Sequence, residues 1–176
     1  MNSVITKPPR TMLEVYQSLP EGTLIQLIEN ELILSPAPLE VHQAILTYLS
    51  ADILFYVRKN SLGTIRVAPY DIYLDKKNVF QPDIVFISNE NLHNIKADGL
   101  HGAPDLVIEI LSPSTAKYDL EDKKDVYERY GVKEYWIIDP SSKSVTGFTL
   151  KEKTFVSIEI NKGIIKSLLL KNDFQF

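Results

Sequence analysis

The chain has 176 residues, of which 44% are apolar and 24% charged, with a formal net charge of −4 and no cysteine. That length supports one domain with a real core, and the missing thiols exclude disulfides, thiolate zinc sites and cysteine catalysis. The acidic balance argues against a large nucleic-acid footprint, which shows as a basic patch or stripe, but it leaves room for an enzyme that binds a few phosphates locally.

Residues 1–20 read as a Pro-rich lead followed by a short helix over TMLEVYQSL, 11–19. TLIQLIENELILSPAP (23–38) reads as a hairpin with Glu29 and Asn30 at its turn, stopped by prolines. PLEVHQAILTYLSADILFYVRKN (38–60) is a long amphipathic helix, with Val41, Ile45, Leu46, Leu49 and Ile53 at helical spacing. GTIRVAPYDIYLD (63–75) alternates as one strand, and residues 76–78 make a turn. PDIVFIS (82–88) and PDLVIEIL (104–111) are near-continuous apolar runs, the pattern of strands covered on both faces. DLEDKKDVYERYG (119–131) is a helix with Asp119 at its N-cap and Gly131 at its stop. EYWIIDP (134–140) is a strand with Trp136 in the core, and 145–160 closes the chain as a hairpin. No repeat or linker interrupts the order, so residues 1–176 form one α/β domain, a mixed sheet flanked by helices. No apolar run reaches membrane-spanning length and the N-terminus lacks a signal peptide's apolar segment. A cytoplasmic location without membrane contact is the expectation.

Two acids stand inside apolar strands. Asp83 opens one strand, and Glu109 lies between Val107, Ile108, Ile110 and Leu111 in another. A lone Asp at a strand start is most simply a turn cap, but an unpaired buried glutamate is rare. If the strands are neighbours, both carboxylates converge, and they repel unless a cation sits between them. Oxygen donors without a histidine cluster favour magnesium or manganese over zinc. Asp105 shares the strand of Glu109 but lies roughly 13 Å away at about 3.3 Å per residue, so it reads as structural. On the 119–130 helix, Leu120, Val126, Tyr127 and Tyr130 define an apolar face and Lys123 falls in its middle. A lysine aimed inward wants an acidic or phosphate partner, although snorkelling past the tyrosines is the bland reading. His42 lies on the apolar side of the long helix, either as a satisfied core histidine or as part of the metal cleft. Asp71 faces the same cleft or caps its strand. His93 and His101 are assigned no role. Two acids holding a metal that activates water, with a lysine to stabilise developing charge, is the chemistry of phosphodiester hydrolysis.

The order SPAPLEVHQAI, YDIYL, QPDIVFIS, PDLVIEILSPST, DLEDKKDVYERYGVKEYWIIDP resembles the Uma-type (DUF820-like) restriction endonucleases, a branch of the PD-(D/E)XK nuclease superfamily. The resemblance covers roughly residues 20 to 160. It implies a restriction endonuclease-like fold and a metal-dependent DNA endonuclease, with Asp83, Glu109 and the Ile110 carbonyl as metal ligands and Asp71 as the upstream strand acid. It implies Lys123 as the helix lysine and His42 as the helix histidine of the catalytic set. The superfamily's lysine usually stands two residues after the acid, where this chain has Leu111. The implied cofactor is Mg2+ or Mn2+. The implied partner is nucleic acid, DNA ahead of RNA; many nucleases cut two strands by pairing two subunits, and the sequence leaves a homodimer open. The reading from a different class is a catalytically inactive module that binds nucleic acid or a protein partner on the same fold. The retained acids and lysine favour the enzyme.

Overall fold

The fold is described from a computed structural model, which covers residues 8–112 and 116–176. In chain order the elements are α1 (Met12–Ser18), β1 (Ile25–Ile28), β2 (Glu31–Leu34), α2 (Glu40–Lys59), β3 (Gly63–Val67), β4 (Ile72–Tyr73), β5 (Val79–Phe80) and β6 (Ile84–Ser88). After a 3-10 turn at Asn89–Asn94 come β7 (Ile95–Lys96), β8 (Gly99–His101), β9 (Leu106–Ile110), α3 (Ala116–Leu120), α4 (Asp122–Tyr130) and β10 (Glu134–Ile138). The chain closes with β11 (Ser144–Lys151), β12 (Thr154–Lys162), β13 (Ile164–Ser167) and β14 (Asn172–Gln175).

Among the described residues these strands form two six-stranded sheets and a small hairpin. The main sheet runs β12-β11-β10-β9-β6-β3, and the second runs β2-β1-β5-β4-β8-β7. In the main sheet β9 and β10 are parallel and the other pairs antiparallel. Successive side chains on a strand alternate between faces, and the packing follows that rule. Ile84, Phe86, Leu106, Ile108 and Trp136 meet α2 and the β13–β14 hairpin on one side. Val85, Ile87, Val107, Tyr135 and Ile137 meet α4 and the second sheet on the other. Among the described residues no helix is long and apolar enough to cross a membrane.

Several sequence expectations change in three dimensions. The stretch 63–75 is two strands in different sheets, because the chain turns at Ala68-Pro69-Tyr70 and Pro69 has no N–H to give a ladder. Asp119 is not an N-cap. It lies within α3, and the helix breaks at Glu121 before restarting as α4. Val41 and Leu120, expected on core faces, are 41% and 48% exposed. The expected turn at Glu29-Asn30 holds, with φ of 44° and 70° giving the left-handed pair that a tight hairpin requires. Gly131 ends α4 at φ 82°, also as expected. The second sheet and the β13–β14 hairpin were not legible in the sequence.

Two buried polar groups lock the main sheet. Glu134 accepts from Trp136 Nε1 at 3.1 Å and Ser167 Oγ at 2.7 Å, and also from the Leu169 N–H, tying β10 to the C-terminal hairpin. Trp136 packs flat over Gly147 of β11, where a Cβ would fall 2.6 Å from Cε3 and Cη2 of the ring. A buried indole cannot retreat, so Gly147→Ala is expected to cost about 2 kcal/mol through overpacking. Urea unfolding checks this, and a change below about 0.5 kcal/mol contradicts it.

Asp105 is buried and structural, as the strand spacing suggested. It accepts from the Ser88 N–H at 2.7 Å and from Asn91 Nδ2 at 3.0 Å, and it pairs with Lys133 at 2.7 Å. Burial works to raise its pKa, but Lys133 and these donors outweigh it, so the folded pKa lies below the ordinary carboxylate value. Because the folded pKa is depressed, the ionised form stabilises the fold above the unfolded value of about 3.9, and that contribution is lost as pH falls through the folded pKa. Asp105→Asn is therefore expected to lower stability by about 1–3 kcal/mol at pH 7. Urea unfolding should show the gap to wild type shrinking below about pH 4. A gap that widens in acid contradicts the assignment.

Candidate functional site

β6 and β9 are antiparallel neighbours with Ile84 facing Ile108. Asp83 immediately precedes that pair on one strand and Glu109 follows it on the other. By alternation Glu109 rises on the same face as Val107, and Asp83, one residue before β6, lines the same hollow. Asp83 Oδ2 accepts the Ile110 N–H at 2.6 Å, which fastens the end of β6 to β9, and lies 3.3 Å from His42 Nε2. His42 reaches this point from the first turn of α2.

Glu109 is buried, and its Oε1 accepts from Lys123 Nζ at 2.9 Å and from the Tyr127 hydroxyl at 3.0 Å. Lys123 is buried too and lies 2.7 Å from Asp119 Oδ1. Both partners of Glu109 stand on α4 one turn apart, an i, i+4 pair aimed at one carboxylate. Asp119 and Lys123 are likewise four apart, across the α3–α4 break. A hollow of about 220 Å3 is lined by His42, Gln81, Asp83, Glu109, Ile110, Ser112, Asp119 and Lys123 among others.

Negative charge outnumbers positive here, with three carboxylates around one ammonium and one imidazole. Burial raises the Glu109 pKa, Asp119 and Asp83 add to it, and Lys123 only partly offsets them. Burial opposes protonation of Lys123, yet Asp119 and Glu109 hold its pKa above the ordinary lysine value. Burial also opposes protonation of His42, but Asp83 and the Ile110 backbone raise its pKa overall. The Tyr127 hydroxyl is pushed well up by burial and by Glu109, so it acts as a donor. Surplus buried anions holding on to protons mark a place that a cation would relieve.

The expected group therefore assembles in large part. Asp83, Glu109, Lys123, His42 and Ile110 all line one hollow. Asp71 does not join them. Its carboxylate accepts from Gln81 Nε2 at 2.8 Å and the Tyr73 hydroxyl at 3.3 Å, and it lines a neighbouring hollow with Tyr16 and Tyr70. The cause is the break after Val67, which carries Asp71 towards the second sheet. Gln81, which bonds Asp71, lines both hollows, as does Pro69. The sequence reading missed Asp119 and Tyr127 as members. The four-residue spacing from Asp119 to Lys123 carried the signal, but it was spent on a helix cap. Residues 113–115 of the SPST stretch lie outside the described residues.

Among the described residues, no three His, Asp or Glu side chains are clustered tightly enough to hold a metal ion by themselves. The oxygen donors that line one hollow are those of Asp83 and Glu109, with the Ile110 backbone beside them. That set fits magnesium, which takes one or two carboxylates and keeps water or substrate phosphate in its other positions. It does not fit zinc, which prefers nitrogen and sulfur.

A family model described as "Uma2: Putative restriction endonuclease" matches residues 13–175. Among solved structures, this chain is similar to one described as a "putative nuclease belonging to DUF820 from Anabaena variabilis ATCC 29413", with 22% identity, 85% of this chain and 84% of that chain covered, and a TM-score of 0.70. That likeness concerns the fold. No curated protein matches.

Proposed function

The chain belongs to the Uma2 family, and from that premise we propose that it is a divalent-metal-dependent endonuclease hydrolysing phosphodiester bonds of DNA in the cytoplasm. The observation that carries the reading is the lining of one hollow by Asp83, Glu109 and Lys123. Asp83, Glu109 and the Ile110 carbonyl would hold Mg2+ or Mn2+, which supplies Lewis-acid stabilisation of a phosphate oxygen and a water of lowered pKa.

The chain's own residues do the positioning. The Ile110 N–H and His42 fix the Asp83 carboxylate, so it points into the hollow without rotamer search. Tyr127 and Lys123 orient Glu109 in the same way. Lys123 is protonated at neutral pH, and its ammonium is the positive group available to charge developing on a phosphoryl oxygen. His42, with its raised pKa, is placed to donate a hydrogen bond to Asp83, whose Oδ2 lies 3.3 Å from its Nε2.

The second reading, a binding module without catalysis, draws on one observation: Lys123 is already engaged by both Glu109 and Asp119. Calorimetric titration of magnesium or manganese into the protein, paired with a plasmid-nicking assay, separates the two. Saturable metal binding together with metal-dependent nicking is the expected result. Binding of metal with no nicking of any DNA or RNA substrate selects the module instead.

A further inference from the structure

α2 carries a second apolar stripe, distinct from the one that packs on the sheet. Ile45, Leu46, Leu49, Ile53 and Val57 face the core. On the outward side Val41, Ala44, Tyr48, Ala51 and Phe55 recur at alternating three- and four-residue steps. At about 100° per residue these five positions fall within an arc of about 80°. Tyr48 is 65% exposed and Phe55 70%. Scattered apolar residues on a surface are ordinary, but a row with heptad spacing from Val41 to Phe55 is the pattern of a helix–helix seam.

We propose that a second copy of this chain covers the stripe, with the two α2 helices antiparallel about a twofold axis at mid-helix. Size complementarity supports this occupant. Bulky Tyr48 and Phe55 alternate with Ala44 and Ala51, and the antiparallel register that levels Tyr48 with Ala51 of the second copy also levels Phe55 with its Ala44. Rings then sit over alanines along the seam, the large-on-small layering of a filled interface. The same register puts Glu40 level with Lys59, so the full helix Glu40–Lys59 overlaps and the axis falls at its midpoint.

Charge complementarity selects the orientation. Glu40 stands in the first turn of α2, and Arg58 and Lys59 stand in the last. Glu40 and Arg58 project from the same flank of the stripe, and antiparallel seams pair like flanks with each other. The acidic end of each helix therefore meets the basic end of the other, twice by symmetry. A parallel pair would instead set Glu40 against Glu40 and Lys59 against Lys59. A surface that complements itself in both size and charge is suited to its own copy. The inference rests on the fold and not on the proposed chemistry.

A single helix pair is a small interface, so a dissociation constant on the order of 10 µM is expected. The test is sedimentation equilibrium of the full chain at about 100 µM, well above that value. Wild type should be dimeric. Tyr48→Glu should weaken the dimer at least about tenfold through a buried charge. Arg58→Glu should weaken it as well, and adding Glu40→Arg to that variant should restore it. Because these side chains are exposed, unchanged circular dichroism and melting confirm that each variant is folded. A wild type that stays monomeric at that concentration overturns the proposal, as does a dimer untouched by Tyr48→Glu. A double variant no tighter than Arg58→Glu alone overturns the antiparallel register. The chain has no cysteine, so Ala51→Cys adds a clean second readout, an intermolecular cross-link that Tyr48→Glu abolishes.

Discussion

Glu109→Gln is expected to lower metal-dependent nicking by about a thousandfold, equivalent to about 4 kcal/mol of transition-state stabilisation. The amide keeps the shape of the side chain, and its oxygen still accepts from Lys123 and Tyr127, which are 2.9 and 3.0 Å away in the wild type. What it loses is the negative charge that a hard divalent cation requires. Metal binding measured by calorimetry and nicking measured on plasmid should therefore disappear together. The melting temperature should stay close to that of the wild type, because Lys123 keeps Asp119 as its counter-ion at 2.7 Å. A Glu109→Gln protein that nicks at the wild-type rate refutes the assigned site. One that binds magnesium normally but does not nick would move the ion off Glu109 and onto Asp83 alone.

Lys123→Met is expected to be the most destabilising single change at the site, at about 3–5 kcal/mol. Met fills the space of the lysine stem, so the loss is electrostatic. Glu109 and Asp119 remain buried, and both lose the ammonium that neutralised them. The cost is that of two buried carboxyls which must take up a proton or stay charged without their counter-ion, and not the net value of the ion pair. A double-mutant cycle separates these. Adding Glu109→Gln to Lys123→Met should recover about 1–2 kcal/mol, because the amide needs neither a counter-ion nor a proton. Urea unfolding at neutral pH measures both, with similar m-values confirming that the denatured state is unchanged. A Lys123→Met variant as stable as wild type would mean that the ammonium reaches solvent, which the buried position contradicts.

The placement of Glu109 in an apolar run identified it as a buried, partnered acid, and the pairing of β6 with β9 carries Asp83 to the same hollow. Lys123 was legible from the helical wheel alone, since Val126 and Tyr127 fix which side of α4 is inside. Asp71 misled because alternation continues smoothly through GTIRVAPYDIYLD, and nothing in a two-residue period reveals that a chain changes sheets at Pro69. Val41 misled for a related reason. It shares helical spacing with core residues such as Ile45 and Leu49, but α2 carries two apolar stripes, and spacing does not say which one meets the sheet.

Local chemistry, then, was set by the order of residues. The turn at Glu29-Asn30, the stop at Gly131, the strand-borne acids and the inward lysine all follow from rules that act over four residues or fewer. Only the tertiary fold decided which distant groups share a site. It brought Lys123 to Glu109, fastened Asp83 to the Ile110 backbone and to His42, and carried Asp71 towards a different sheet. The reason is physical. Propensity and periodicity are properties of neighbours along a chain, whereas the energy of a buried charge depends on every group that surrounds it in space.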